Sequence, residues 1–126
     1  MGREVSMKVL VVEDEPFIRL GIVSSIEDAG HEVIEAANAD EAVKRLRTEG
    51  GVRVIVTDVD MPGSMDGIAL AQRASRDWPD IGVLVISGKV GVLPSQLPSG
   101  TRFMSKPFLE PQLLSAIDAL AGGTAT

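Results

Sequence analysis

The strongest structural signal in this chain is its first apolar segment, Lys8-Val9-Leu10-Val11-Val12, which runs directly into Glu13-Asp14-Glu15-Pro16. A continuous run of aliphatic residues, with no polar alternation, predicts a strand buried on both faces, as in a parallel sheet. Pro16 suits the first turn of a helix, because the backbone N–H is not needed there. The stretch therefore predicts a buried strand, an acidic turn and a helix.

The same alternation continues to the end of the chain. Further strands are predicted at residues 31–36, 52–57, 81–86 and 101–105, and helices at 68–78 and 111–120. The first helix carries apolar residues from Phe17 to Ile26 and stops at Gly30, and the second is capped by Asn38 or Asp40. The pattern predicts an α/β fold, a doubly wound five-stranded parallel sheet with helices on both faces.

One segment interrupts this regularity. Residues 88–100 should contain the helix between the fourth and fifth strands, but Gly91, Pro94 and Pro98 lie within it. Proline removes a helical hydrogen bond and glycine weakens a helix. This fourth helix is predicted to be short or irregular.

Composition limits the classes of function. The 126 residues make one domain, with a core of about 7–121 and short flexible termini, and Gly122-Gly123 favours a complete small protein. Without cysteine and with His31 alone, thiolate and histidine metal sites are excluded. A net charge of −6 and 3% aromatic residues argue against nucleic-acid binding. There is no signal core or membrane span, so a cytoplasmic protein is expected.

Polar side chains recur at the same end of the predicted strands. Glu13 and Asp14 follow the first strand, Asp58 the third, Ser87 the fourth and Lys106 the fifth. The carboxyl ends of parallel strands line one crevice, where ligands bind. These residues are therefore expected to converge on one site.

The convergence predicts a particular chemistry. Two unit charges ~4 Å apart repel by about 4 kcal/mol at an effective dielectric constant near 20, so clustered carboxylates favour a bound cation. Oxygen ligands indicate Mg²⁺ or Mn²⁺. Lys106 supplies a point charge for phosphate, and an aspartate beside both can accept a phosphoryl group as an aspartyl phosphate.

The motifs and their order resemble the receiver domain of two-component response regulators, a flavodoxin-like phosphoacceptor fold. The resemblance runs from Lys8 to about Leu120 and is carried by Glu13-Asp14, Asp58 with Met61-Pro62 and Asp66-Gly67, Ser87-Gly88, and Lys106-Pro107-Phe108. Each motif alone is common. The four together, in this order, are specific.

The resemblance implies a role for each residue at the metal. Asp58 would be the phosphoacceptor and would bind Mg²⁺ together with Asp14. Glu13 would act on the ion mainly through water, and the backbone carbonyl of Asp60 would complete the protein ligands. Lys106 would pair with the phosphoryl oxygens.

Further roles concern the phosphoryl group and the switch. Ser87 would bind the phosphoryl oxygens, assisted by the backbone amides of Val59 and Gly88. Phe103 would swing inward when Ser87 moves. The bond before Pro107 is expected to be cis, which is uncommon even before proline.

The resemblance also implies partners. The phosphoryl donor would be a sensor histidine kinase or a histidine phosphotransfer protein, and output would pass to a further protein or to a relay. The domain would catalyse only its own phosphorylation and dephosphorylation, and would not be an enzyme in the turnover sense. Nucleic acid and membrane are not expected as partners.

Two departures and two alternatives remain. The loop 58–67 is one residue longer than the family spacing, and Phe103 replaces the commoner tyrosine. A receiver-fold binding module that is never phosphorylated is one alternative. The other is a haloacid dehalogenase-type phosphatase. The segment Thr57-Asp58-Val59-Asp60 resembles the nucleophile motif of that family, although the family's motif normally lies at the start of the chain.

Overall fold

The computed structural model of the protein describes residues 6–61, 63, 65–88 and 97–122. Within them lie five strands and four helices. In chain order these elements are β1 (Lys8–Val12), α1 (Pro16–Asp28), β2 (Glu32–Ala36), α2 (Ala39–Thr48), β3 (Val52–Asp58), α3 (Gly67–Asp77), β4 (Gly82–Ser87), β5 (Thr101–Ser105) and α4 (Glu110–Leu120).

The strands form one parallel sheet in the order β2-β1-β3-β4-β5. The chain steps from β1 to β2 on one side and then crosses to β3 on the other, so the winding direction reverses between β1 and β3. This reversal opens a crevice at the carboxyl ends of the two strands. The predicted doubly wound parallel sheet is confirmed.

The sheet carries a separate apolar layer on each face. Val9 and Val11 of β1 point toward α1 and α4, whereas Leu10 and Val12 point toward α2 and α3. Successive side chains of a strand lie on opposite faces, so a strand covered on both sides must be apolar at every position. This explains the unbroken apolar run of β1.

Side chains cap three of the helices. The carboxylate of Glu15 accepts hydrogen bonds from the backbone at the start of α1, Asn38 accepts from Glu41 N in α2, and Asp66 accepts from Ala69 N in α3. Each satisfies a backbone donor that the first turn leaves unpaired. Of the two caps predicted for α2, the structure has Asn38.

The buried face of α1 differs from the prediction. Ile22, Val23 and Ile26 are buried, but Phe17 is 83% exposed and Leu20 is 63% exposed. The apolar spacing predicted one stripe beginning at Phe17. The apolar layer that α1 packs on the sheet therefore begins at Ile22, and the apolar side chains of its first turns lie at the surface.

The prediction of a short or irregular fourth helix concerns residues 88–100, of which 89–96 lie outside the described residues. The predicted flexible termini also lie largely outside them. In the part of the chain that the structure describes, no helix is both long and apolar enough to cross a membrane.

Two glycines give opposite predictions for the same substitution. A Cβ on Gly82 would lie 2.8 Å from Leu120 Cβ, whereas a Cβ on Gly21, inside α1, meets nothing within 4 Å. We expect Gly82→Ala to destabilise the fold by about 1–3 kcal/mol through overpacking against α4. Gly21→Ala should stabilise it by about 0.5–1 kcal/mol, because alanine is the better helix former.

Urea unfolding followed by circular dichroism measures both effects. Equal stabilities of the two variants would contradict the close packing of β4 on α4.

Candidate functional site

The carboxyl ends of β1, β3 and β5 bring four charged side chains together. Carboxylate oxygens of Glu13, Asp14 and Asp58 all lie within 4.8 Å of one another. The Lys106 Nζ lies 3.1 Å from Asp58 Oδ2 and 3.8 Å from Glu13 Oε1. The predicted convergence is therefore present: residues distant in sequence form one acidic crevice with a lysine at its side.

Burial differs sharply among the carboxylates. Glu13 is 2% exposed and Asp58 is 9% exposed, whereas Asp14 is open to solvent. Asp58 thus lies at the bottom of the crevice, reachable from outside but held in a defined position. A group that must receive a ligand and keep its geometry needs both properties.

The backbone around Glu13 is tied to its neighbours. Its N–H donates to the carbonyl of Ala36 at the end of β2, 3.1 Å away, and Glu15 N donates to its Oε2 at 3.1 Å. The turn between β1 and α1 is therefore an extension of the sheet, and the acidic pair occupies a fixed place.

The end of β3 requires a glycine on the following helix. A Cβ on Gly67 would overlap the carbonyl oxygen of Asp58, and Gly67 N donates to Val59 O at 2.9 Å. Thr57, fully buried, donates from Oγ1 to the same Asp58 carbonyl at 3.0 Å. The Asp66-Gly67 motif thus caps α3 and lets it approach the strand that carries Asp58.

The Val59 amide, expected to bind the phosphoryl group, takes part in the sheet in this structure, and its phosphoryl-binding role stays a prediction. The Val59 N–H donates to Ile86 O at 3.0 Å, which continues the β3–β4 ladder one residue past Asp58. The amide that faces the carboxylate is that of Asp60, whose N lies 3.3 Å from Asp58 Oδ1. Strand amides alternate in direction, and this alternation could have indicated Asp60 from the sequence.

The remaining predicted residues lie along β4 and β5. Ser87 is buried and follows Ile86, the residue paired with Asp58, while its carbonyl accepts from Lys106 N at 2.9 Å. Gly88 adjoins the lysine, since a Cβ there would lie 3.7 Å from Lys106 Cδ. The binding roles of Ser87, the Gly88 amide and the Asp60 carbonyl stay predictions.

Phe103 lies within β5, and Pro107 follows its end. Phe103 lies on the edge strand β5, opposite Val85, and is 39% exposed. The Lys106–Pro107 peptide bond is cis. The movement predicted for Phe103 stays a prediction, with the ring outward in this structure.

Burial raises the pKa of the Glu13 carboxyl from 4.5 to about 7. The hydrogen bond from the Glu15 backbone opposes this shift, the nearby negative charge of Asp58 adds to it, and the Lys106 ammonium lowers it. Loss of hydration thus outweighs the attraction of the lysine. A carboxyl with a pKa of about 7 is only partly ionised near neutral pH.

The donor set fits a hard divalent cation. Glu13 Oε1 is buried and has no hydrogen-bond partner among the described residues, and the Glu13 carboxylate clusters with those of Asp14 and Asp58. A buried carboxylate oxygen without a donor is costly. Oxygen-only ligands of this kind suit Mg²⁺ or Mn²⁺ and exclude a thiolate or imidazole site.

Comparison with known proteins identifies the family. Residues 9–118 match the response regulator receiver domain. The chain belongs to this family. Phosphorylation-dependent signalling in two-component systems is the function expected of such a receiver domain, and the acidic crevice is compatible with magnesium and phosphorylation.

Relatives of this receiver domain differ in length. It is 34% identical over 116 residues to the response regulator receiver protein CpdR of Brucella abortus, covering 90% of this chain and 95% of CpdR. It is 36% identical to the sensor kinase CckA of the same organism, covering 89% of this chain but 12% of CckA. The chain thus spans nearly all of one relative and about an eighth of the other.

A solved structure supports the same family. The receiver domain of the Francisella response regulator 1452 superposes with a TM-score of 0.82 at 28% identity, covering 94% of this chain and 99% of that one. The five-stranded receiver fold expected from the sequence is confirmed.

The raised pKa of Glu13 predicts how stability depends on pH. Between pH 4.5 and about 7 the folded protein keeps a proton on Glu13 that the unfolded chain has released. The free energy of unfolding contributed by this group therefore falls as pH rises through this window, by about 1–3 kcal/mol in metal-free protein.

Urea unfolding in EDTA at pH 5 and pH 8 measures this dependence. Glu13→Gln stays neutral at both pH values, so the loss of stability between them should be smaller in the variant than in the wild type. An identical pH dependence of the two proteins would refute the assignment.

Proposed function

We propose that Asp58 accepts a phosphoryl group from the phosphohistidine of a sensor histidine kinase or a histidine phosphotransfer protein, in a Mg²⁺-dependent reaction. The observation that supports this best is the placement of Asp58. Its carboxylate is 9% exposed at the end of β3, lies within 4.8 Å of two other carboxylates, and is 3.1 Å from Lys106 Nζ.

In the proposed transfer, an oxygen of Asp58 forms a bond to phosphorus as the bond between phosphorus and the histidine nitrogen breaks. The electron pair of the broken bond stays on the imidazole, which leaves. Charge on the three equatorial oxygens is the main obstacle. Lys106 moves from Asp58 toward these oxygens and offsets their charge.

Glu13, Asp14, Asp58 and the carbonyl of Asp60 are the groups proposed to hold Mg²⁺. When bound, the ion supplies positive charge to the carboxylates and to the incoming phosphoryl oxygens. Glu13 must be ionised to assist, and the raised pKa means that binding near neutral pH releases a proton.

Output is proposed to be a change in protein binding or a further phosphoryl transfer. Ser87 is buried at the end of β4 and Phe103 lies partly exposed on the edge strand. In the proposed switch, Ser87 moves toward the phosphoryl group and the Phe103 ring turns inward. The domain acts only on its own phosphorylation state. A cytoplasmic location stays a prediction from the sequence.

Asp58→Asn tests the phosphoacceptor. Incubation with acetyl phosphate and Mg²⁺, followed by intact-protein mass spectrometry, should add one phosphoryl group to the wild type and none to the variant. Asp118→Asn, which neutralises an exposed carboxylate on α4, is the matched control and should be modified like the wild type.

Phosphoryl uptake by Asp58→Asn equal to that of the wild type would contradict the assignment of Asp58 as the phosphoacceptor. A different result is a wild type that binds Mg²⁺ and yet takes up no phosphoryl group from either acetyl phosphate or a phosphorylated histidine donor. That result would favour the receiver-fold binding module that is never phosphorylated. Repeated release of phosphate from a generic phosphate ester would favour the phosphatase.

Lys106→Ala separates the metal site from the phosphoryl site. Removing a positive charge beside three carboxylates should leave Mg²⁺ affinity equal or tighter, because a repulsion of the cation is lost. Phosphoryl uptake should slow by about tenfold or more, since the charge on the transferred group loses a fixed partner. Calorimetric titration with Mg²⁺ and the rate of mass increase give the two readings, and uptake at the wild-type rate would contradict the role.

A further inference from the structure

The guanidinium of Arg19, at the first turn of α1, reaches back to the acidic turn. Its NH1 donates to the carbonyl oxygen of Glu13 at 2.7 Å, and its Nε donates to Glu35 Oε1 at 2.9 Å. The side chain is only 21% exposed. None of the roles derived above involves this arginine or its carboxylate partner.

These bonds complete a closed set of contacts around one residue. The N–H of Glu13 donates to Ala36 O at 3.1 Å, and its C=O accepts from Arg19. Glu35, which holds the guanidinium, directly precedes Ala36 on β2. Both polar groups of the Glu13 backbone are thereby tied to β2, one directly and one through Arg19.

We propose that Arg19, held by Glu35, is a positioning residue for cation binding at the acidic crevice. The carbonyl that Arg19 holds belongs to the peptide between Glu13 and Asp14. The orientation of a planar peptide constrains the directions in which the two flanking side chains leave the backbone. This inference rests on the proposed Mg²⁺ site.

Positioning and simple electrostatics predict opposite results. A guanidinium near the crevice repels a cation, so its loss by charge alone would tighten Mg²⁺ binding. If Arg19 holds the Glu13–Asp14 peptide, its loss weakens binding, because the ligands must then be ordered when the ion arrives. The sign of the change distinguishes the two.

The experiment measures Mg²⁺ affinity by calorimetric titration at pH 8, with circular dichroism to check that each variant is folded. Arg19→Met keeps the length of the side chain but removes its donors and charge. The matched control is Arg73→Met, which breaks the 3.2 Å pair with Asp77 on α3 and changes the net charge equally.

Arg19→Met should bind Mg²⁺ about tenfold or more weakly, the usual cost of losing a group that orients a metal ligand. Arg19→Lys, which keeps the charge but cannot span both acceptors, and Glu35→Gln should each show a smaller loss. Arg73→Met should bind like the wild type. Should Arg19→Met fail to fold, Arg19→Lys and Glu35→Gln carry the same test.

Mg²⁺ affinity in the folded Arg19 and Glu35 variants equal to or tighter than that of Arg73→Met would overturn the positioning role and leave the proposed function intact. Absence of Mg²⁺ binding by the wild type would instead overturn the proposed function, and the positioning role with it.

Discussion

Repulsion among the carboxylates of Glu13, Asp14 and Asp58 is the constraint on which the rest of the site depends. Three acidic groups with oxygens within 4.8 Å of one another raise the free energy of the fold unless a positive charge or a proton offsets them. Lys106 offsets Asp58, and protonation offsets Glu13, whose pKa is raised to about 7 by burial. The crevice is therefore compatible with a bound cation and with phosphorylation.

The packing of the sheet offsets the free-energy cost of this repulsion. β1 and β3 lie side by side in the sheet, with an apolar layer on each face. Burial of these apolar side chains stabilises the fold and offsets the repulsion among the carboxylates at the carboxyl ends of the two strands. The reversal of winding between the two strands leaves their carboxyl ends uncovered by a crossover connection. The acidic crevice of this receiver domain thus lies where the fold leaves the ends of the strands uncovered.

Backbone direction decides which groups face that opening. The β3–β4 ladder continues through Val59, so its amide is bonded to Ile86, and the next amide, of Asp60, turns toward the Asp58 carboxylate. A glycine at 67 lets α3 approach this strand without a clash. At the end of β1, Arg19 holds the backbone of the acidic turn by donating a hydrogen bond to the carbonyl oxygen of Glu13.

The sequence alone determined the buried strands, the order of helices and strands, and the acidic and basic residues that end the strands. Unbroken apolar runs and strand-end polar residues are local patterns that a parallel sheet converts into one crevice, so Asp58 and Lys106 could be named without coordinates. Only the tertiary structure decided the outward position of Phe17, the hydrogen bond from the Val59 amide to Ile86 and the raised pKa of Glu13. These depend on which atoms of distant segments meet, and on how much water they lose when they do.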